Sequence, residues 1–142
     1  MPRQPKSGAW KRPCRRLQRG LILTESRLPR RGEIWTANLG NPSIRHWVLV
    51  VSLDQRNLSP RTESMLVVPL SSAGPGGVTV IQLPTEETGL PEPWFVKGHL
   101  MQVLAKRALL TQERRVLSGN RMREVALAIR RSFDPDAPWL GK

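Results

Sequence analysis

Apolar and polar residues alternate through Glu33-Ile34-Trp35-Thr36-Ala37-Asn38-Leu39, placing Trp35, Ala37 and Leu39 on one face. Successive strand side chains point to opposite sides, so period two predicts a half-buried strand. Trp47 to Val51 is a continuous apolar run, which predicts a strand buried on both faces. Met65 to Val68 is a second such run, with Pro69 near its end, where a missing ladder N–H is tolerated. Val78 to Leu83, Trp94 to Val96 and Leu100 to Leu104 predict further strands, with Gly98 as a bulge or bend between the last two. Four stretches read as loops from their polar, Pro-rich or Gly-rich chemistry: Gly40 to Ser43, Leu53 to Glu63, Ser72 to Gly77 and Pro84 to Pro93.

The pattern changes period near the C-terminus. Ser118 is a favourable N-cap. Met122, Val125, Ala126, Ile129 and Phe133 follow at helical spacing, with Arg130 and Arg131 near the dipole's negative end and Asp134-Pro135 as the stop. Five or six short strands followed by one amphipathic helix predict a mainly β fold. The simplest form is a small, bent antiparallel sheet or partly open barrel with the helix packed on it. No internal repeat is present.

Charge modifies this picture at one end. The 142 residues carry a formal net charge of +12. Residues 1–31 hold ten Lys or Arg against one acid, Glu25, while the rest holds thirteen bases and ten acids. Most of the basic signal therefore belongs to an N-terminal arm, residues 1–29, interrupted by Pro2, Pro5, Pro13 and Pro29. Residues 30–133 read as the folded domain and 134–142 as a short tail. An excess of cations points to an anionic partner: nucleic acid, a membrane surface or an acidic protein. The single cysteine, Cys14, lies in the arm, and no apolar run approaches the roughly 18 residues of a membrane helix. These features predict a cytoplasmic protein that does not enter the membrane.

No metal-ligand spacing occurs: His46 and His99 are far apart, and neither a C-x-x-C nor an H-E-x-x-H is present. Neither a phosphate-binding Gly-rich motif nor a nucleophile elbow is found, so no cofactor or metal is expected. What remains near strand ends is a basic and hydroxyl-rich set: Arg45, His46, Ser71, Ser72, Lys97, His99 and Gln102. Such a set suits RNA transesterification. A base must take the 2′-OH proton, donors or cations must stabilise the phosphorane, and an acid must protonate the leaving 5′ oxygen. Histidine titrates near neutrality, and arginine presents a fork that matches two phosphate oxygens.

Four segments, in order, carry a family resemblance. Arg31-Gly32-Glu33-Ile34-Trp35 resembles the opening strand of the MazF/PemK (Kid-like) toxins. Arg45-His46-Trp47-Val48-Leu49-Val50-Val51 is similar to their R-P-V-L-V-I segment, without the proline and with one residue extra. Val67-Val68-Pro69-Leu70-Ser71-Ser72 resembles V-V-P-V/I-T-S/T, and Ser118 with its helix matches the family's C-terminal helix. The resemblance spans residues 30 to 133. It implies an SH3-like barrel with a C-terminal helix, usually homodimeric. It implies a metal-independent endoribonuclease that cuts single-stranded RNA through a 2′,3′-cyclic phosphate and is neutralised by an acidic antitoxin.

Residue by residue, the resemblance gives Arg45 the arginine that stabilises the scissile phosphate, with His46 as the substitute. Ser71 takes the place of the family's phosphate-binding threonine. Lys97 and His99 fall where Kid-like members carry a catalytic Arg and Asp, and strand alternation is expected to put both on one face. Gln102 stands where many members have a second Arg, and Ser72 neighbours the phosphate site. Trp94 is a candidate for stacking on a base or, equally, for the rim of the core. Trp35 and Trp47 are expected in the core. Two other functions share the same features: a CcdB-like inhibitor of a protein target such as gyrase, and a non-catalytic nucleic-acid-binding module.

Overall fold

The computed structural model describes residues 28–40, 45–74 and 76–138. The arm up to residue 27, Cys14, most of the 40–43 loop and the end of the tail lie outside the described residues. The elements are β1 (Glu33–Asn38), β2 (Arg45–Val50), α1 (Asp54–Asn57), β3 (Ser64–Ser71), β4 (Val80–Leu83), α2 (Thr85–Thr88), β5 (Trp94–Lys97), β6 (Gln102–Ala105), β7 (Leu109–Val116) and α3 (Gly119–Arg131). Short 3-10 turns occupy Gly98–Leu100 and Lys106–Ala108.

All pairings are antiparallel. The order is β4-β5-β3-β2-β1-β7, and β6 also pairs with β3. β3 is the long strand that organises the sheet. One of its edges takes β2, while the other takes β6 along Ser64–Val67 and then β5 at Leu70–Ser71. Among the described residues β4 and β7 do not pair, so the sheet is open rather than a closed barrel. With its C-terminal helix it is the mainly β architecture expected.

The apolar runs predicted as buried on both faces are so. In β2, Leu49 enters a core beneath α3, while Val48 and Val50 enter a second core on the other side of the sheet. β3 divides in the same way, with Val68 and Leu70 on the helix side and Met65 and Val67 opposite. Trp35, Ala37 and Leu39 share one face as expected, but Ile34 is also fully buried. β1 therefore loses water on both sides at its start and is not half-buried there. The Arg31 of the opening motif fastens this region. Its backbone N–H donates to Asp54 Oδ1 at 2.7 Å and its Nη1 to the Val51 carbonyl at 2.6 Å.

Four sequence expectations need correction. The 53–63 loop holds α1, fixed by buried Asn57, whose Nδ2 donates to the Ser52 carbonyl at 2.8 Å. The 84–93 connection holds α2, which ends on Gly89 at φ +77°. β7 was not anticipated from its residues. Phe133 lies outside the helix stripe: α3 ends at Arg131 with Ser132 as C-cap, and Phe133 is 69% exposed. The buried face is Met122, Val125, Ala128 and Ile129, so Ala128 rather than Ala126 completes it. The N-cap is as expected, Ser118 Oγ accepting from Arg121 N at 3.1 Å.

β5 and β6 are two halves of one strand with an offset between them. Leu70 pairs with Val96, and Val67 pairs with Gln102, so three extra residues stand on the β5–β6 side. They form the Gly98–Leu100 turn, where a bulge or bend was expected. A Cβ on Gly98 would lie 2.7 Å from Ala128 C and from Ile129 N. Only glycine permits that approach of the turn to the helix backbone.

Candidate functional site

Arg45, His46 and Ser71 stand where β2 begins and β3 ends, and Lys97, the last residue of β5, reaches the loop that follows Ser72. The β2–β3 ladder reaches Val48–Pro69. Carried two steps outward in the same register, it aligns His46 with Ser71. Strand alternation then sorts the side chains by face. On β2, Arg45 and Trp47 share the parity of Leu49, on the helix side, and His46 shares that of Val48, on the opposite side. On β3, Ser71 has the parity of Val67. On β5, Lys97 alternates with Val96, a helix-side residue, and on β6, Gln102 has the parity of Leu104. His46, Ser71, Lys97 and Gln102 therefore belong to one face. Arg45 begins on the other, at the very edge of the sheet, with an exposed side chain.

Lys97 is half-buried and turns toward the loop that follows Ser71-Ser72. A Cβ on Gly74 would meet Lys97 Nζ at 2.5 Å and Cε at 2.9 Å. The ammonium thus rests on backbone just beyond the two serines. Gly74 has φ +132°, a conformation that L side chains rarely adopt. Ser71 pairs with Phe95, and Ser72 is exposed beside it.

His99 is not where alternation had placed it. The expected strand from Lys97 through His99 stops at Lys97, and His99 lies in the middle of the 3-10 turn. The reason is the close approach of Gly98 to α3, which draws the chain out of the extended conformation. His99 is exposed, and its Nδ1 lies 2.9 Å from Thr79 Oγ1. Thr79 also accepts Gly98 N–H through its carbonyl at 2.7 Å. No sequence signal singled out Thr79. Its role depends on a contact between residues twenty apart.

The aromatic candidates sit on the helix-side face. Trp94 packs against the core and meets Trp47 edge to face, with centroids 5.0 Å apart and an interplanar angle of 83°. Trp94 Nε1 is buried without a hydrogen-bond partner, whereas Trp47 Nε1 donates to Glu113 Oε2 at 3.2 Å. Of the two roles weighed for Trp94, the packed one describes its position. Gln102 is exposed opposite Val67, toward the far end of β3 from Ser71. Among the described residues no three His, Cys, Asp or Glu side chains are grouped to hold a metal ion. No helix among them is long and apolar enough to cross a membrane.

The arrangement offers the Lys97 ammonium at the loop after Ser71 and Ser72, His46 on the face of Ser71, Arg45 at the sheet edge and His99 in the turn after Lys97. These groups can neutralise and hydrogen-bond a phosphodiester and exchange protons with it.

Comparison with known proteins gives a consistent answer. The family model described as "PemK-like, MazF-like toxin of type II toxin-antitoxin system" matches residues 30–133. A comparison with curated protein sequences gave no match. Among solved structures, a mycobacterial endoribonuclease in complex with its cognate antitoxin superposes with a TM-score of 0.65 at 21% identity, covering 78% of this chain and 99% of that one. The Mycobacterium tuberculosis toxin MazF-mt6 gives 0.61 at 22% identity, covering 72% and 96%. The MazE–MazF complex of Deinococcus radiodurans gives 0.62 at 20% identity, covering 74% and 95%.

Proposed function

Because the chain belongs to the PemK-like, MazF-like toxins of type II toxin–antitoxin systems, we propose that it is an endoribonuclease that cuts single-stranded RNA by attack of the 2′-OH on the adjacent phosphate. The observation that carries this reading is the Lys97 ammonium resting on the loop behind Ser71 and Ser72. It puts a cation against the loop that follows the two serines.

In this mechanism His99 takes the 2′-OH proton. The 2′ oxygen bonds to phosphorus as the bond to the 5′ oxygen breaks, leaving a 2′,3′-cyclic phosphate and a 5′-OH. Lys97 and Arg45 neutralise the charge that builds on the non-bridging oxygens, and Ser71 and Ser72 donate hydrogen bonds to them. His46, on the face of Ser71, supplies a second titratable group for the proton that the 5′ oxygen must gain. Gln102, exposed further along the same face, extends the surface that contacts the RNA strand. Each step uses side chains of this chain alone, so the reaction requires no metal.

The same reading assigns the remaining partners. The similar solved structures include an endoribonuclease in complex with its cognate antitoxin and a MazE–MazF complex. An acidic antitoxin segment covering the Lys97 cation would silence this protein, which acts in the cytoplasm as a homodimer.

The test is cleavage of a mixed-sequence single-stranded RNA in EDTA by the full-length protein, beside a Ser71→Ala/His99→Ala control of unchanged fold. Discrete cuts ending in 2′,3′-cyclic phosphate, lost in the control, are expected. Intact RNA at high protein concentration, or equal cutting by the control, overturns the proposal.

A further inference from the structure

We infer that Thr79 is a positioning residue that holds the His99 imidazole in the tautomer with its proton on Nδ1, leaving Nε2 free as the proton acceptor. The inference rests on the reading of His99 as the base and deepens it.

Three contacts fix Thr79 relative to His99. The β4–β5 ladder pairs Val80 with Lys97, and its next step sets Thr79 beside Gly98. Gly98 N–H donates to the Thr79 carbonyl at 2.7 Å, which clamps the backbone of the turn. Thr79 Oγ1 then meets His99 Nδ1 at 2.9 Å. The turn cannot slide away, because Gly98 is pressed against the backbone of Ala128 and Ile129. The preceding residue is tied as well, Arg131 Nη1 donating to the Val78 carbonyl at 3.2 Å.

Which ring nitrogen carries the proton of a neutral imidazole is set by the partner of the other. A hydroxyl can donate or accept. Acceptance from Nδ1–H is the arrangement that serves both states of a base. It leaves a lone pair on Nε2 before proton transfer, and the same Nδ1–H···Oγ1 bond persists in the imidazolium afterwards. The charged groups on the surrounding elements do not supply an alternative acceptor. Lys97 precedes the turn, Arg130 and Arg131 end α3, and Glu124 and Asp134 are engaged by Arg121 and Arg130. β3 and β4 carry no titratable side chain. Thr79 is thus the group through which the fold orients His99.

The experiment reads the ring directly. Long-range ¹H–¹⁵N spectra of the full chain, at a pH where His99 is neutral, report its tautomer in the parent, Thr79→Val and Thr79→Ser proteins. RNA cleavage is followed across pH in parallel. The parent is expected in the Nδ1–H form. Thr79→Val is expected to shift His99 toward the Nε2–H form, to lower kcat/KM by about tenfold and to displace the ascending limb of the pH profile, with Thr79→Ser restoring all three. An Nε2–H tautomer in the parent overturns the inference and needs no variant to observe. So does a Thr79→Val protein with the parent's tautomer and pH profile. Full activity in His99→Ala would instead remove His99 as the base while leaving the tautomer measurement intact, so the two failures are distinguishable.

Discussion

Arg121 grips Glu87 at two points, Nε to Oε1 at 2.8 Å and Nη2 to Oε2 at 2.6 Å, joining the first turn of α3 to α2. The hydrogen bonds from Arg121, with its charge, hold the Glu87 carboxyl below its ordinary 4.5 despite partial desolvation. A carboxyl whose folded pKa is depressed stabilises the fold fully above its unfolded pKa. That contribution fades as the pH falls through the folded value. Glu87→Gln is expected to lower stability by about 0.5–1 kcal/mol at neutral pH. Urea unfolding at pH 7 and at about pH 3 should show the difference between parent and variant shrinking in acid.

Asn57 is fully buried in the segment that reads as a loop. It accepts from Ser52 Oγ and donates to the Ser52 carbonyl, while Ser52 Oγ accepts from Leu66 N–H at 3.0 Å. Asn57→Ala strands the buried Ser52 carbonyl. The expected loss is about 2–3 kcal/mol, read as a lower urea midpoint at an unchanged slope.

Gly74→Ala tests the seat of Lys97 without touching a charged group. The added methyl would meet the Lys97 ammonium at 2.5 Å in a backbone conformation with φ +132°. Cleavage is expected to fall about 10- to 100-fold as the ammonium is displaced. Thermal stability should change by only about 1 kcal/mol, since the loop is exposed. Gly76→Ala, with nothing within 4 Å of the added carbon, should match the parent in both measurements.

The division of faces at the sheet end yields a comparison between neighbours. His46 shares the face of Ser71, and Arg45 begins on the other. His46→Ala is expected to alter the descending limb of the pH–rate profile, where a general acid loses its proton. Arg45→Ala should lower kcat/KM by about 100-fold at every pH, because it removes a phosphate-binding cation rather than a proton carrier. A pH-independent effect of His46→Ala would remove it as the acid.

The elements that could be read from the sequence are those whose pattern survives burial. β2 and β3 lose water on both faces, so each shows as an unbroken apolar run. α3 buries one stripe beneath a Ser cap, so its period is clean. β7 escaped because Leu109 and Leu117 are buried while Leu110, Thr111, Arg115 and Val116 are exposed. Its pairing with β1 also shifts register on either side of Trp35, which breaks the alternation. Phe133 was assigned to the helix stripe because spacing cannot show that the helix stops two residues earlier. Ser71 and Lys97 were legible as candidates because each ends a recognisable strand. The displacement of His99 into a turn was not, since it follows from a helix packing against Gly98 some thirty residues ahead of it in the chain. The partnership with Thr79 has the same origin.

The Gly98–Leu100 offset makes the length of this connection a quantised property. Val103 is 63% exposed and Leu104 is 9% exposed, each on its own side of β6. Removing one residue from the turn so that β6 slips by one against β3 would exchange the two, burying a position meant for solvent and exposing one meant for the core. Removing two would restore the faces but pull Gln102 toward Lys97 and release Gly98 from the helix. The turn therefore acts as a spacer whose integer value couples the parity of the core to the position of the imidazole.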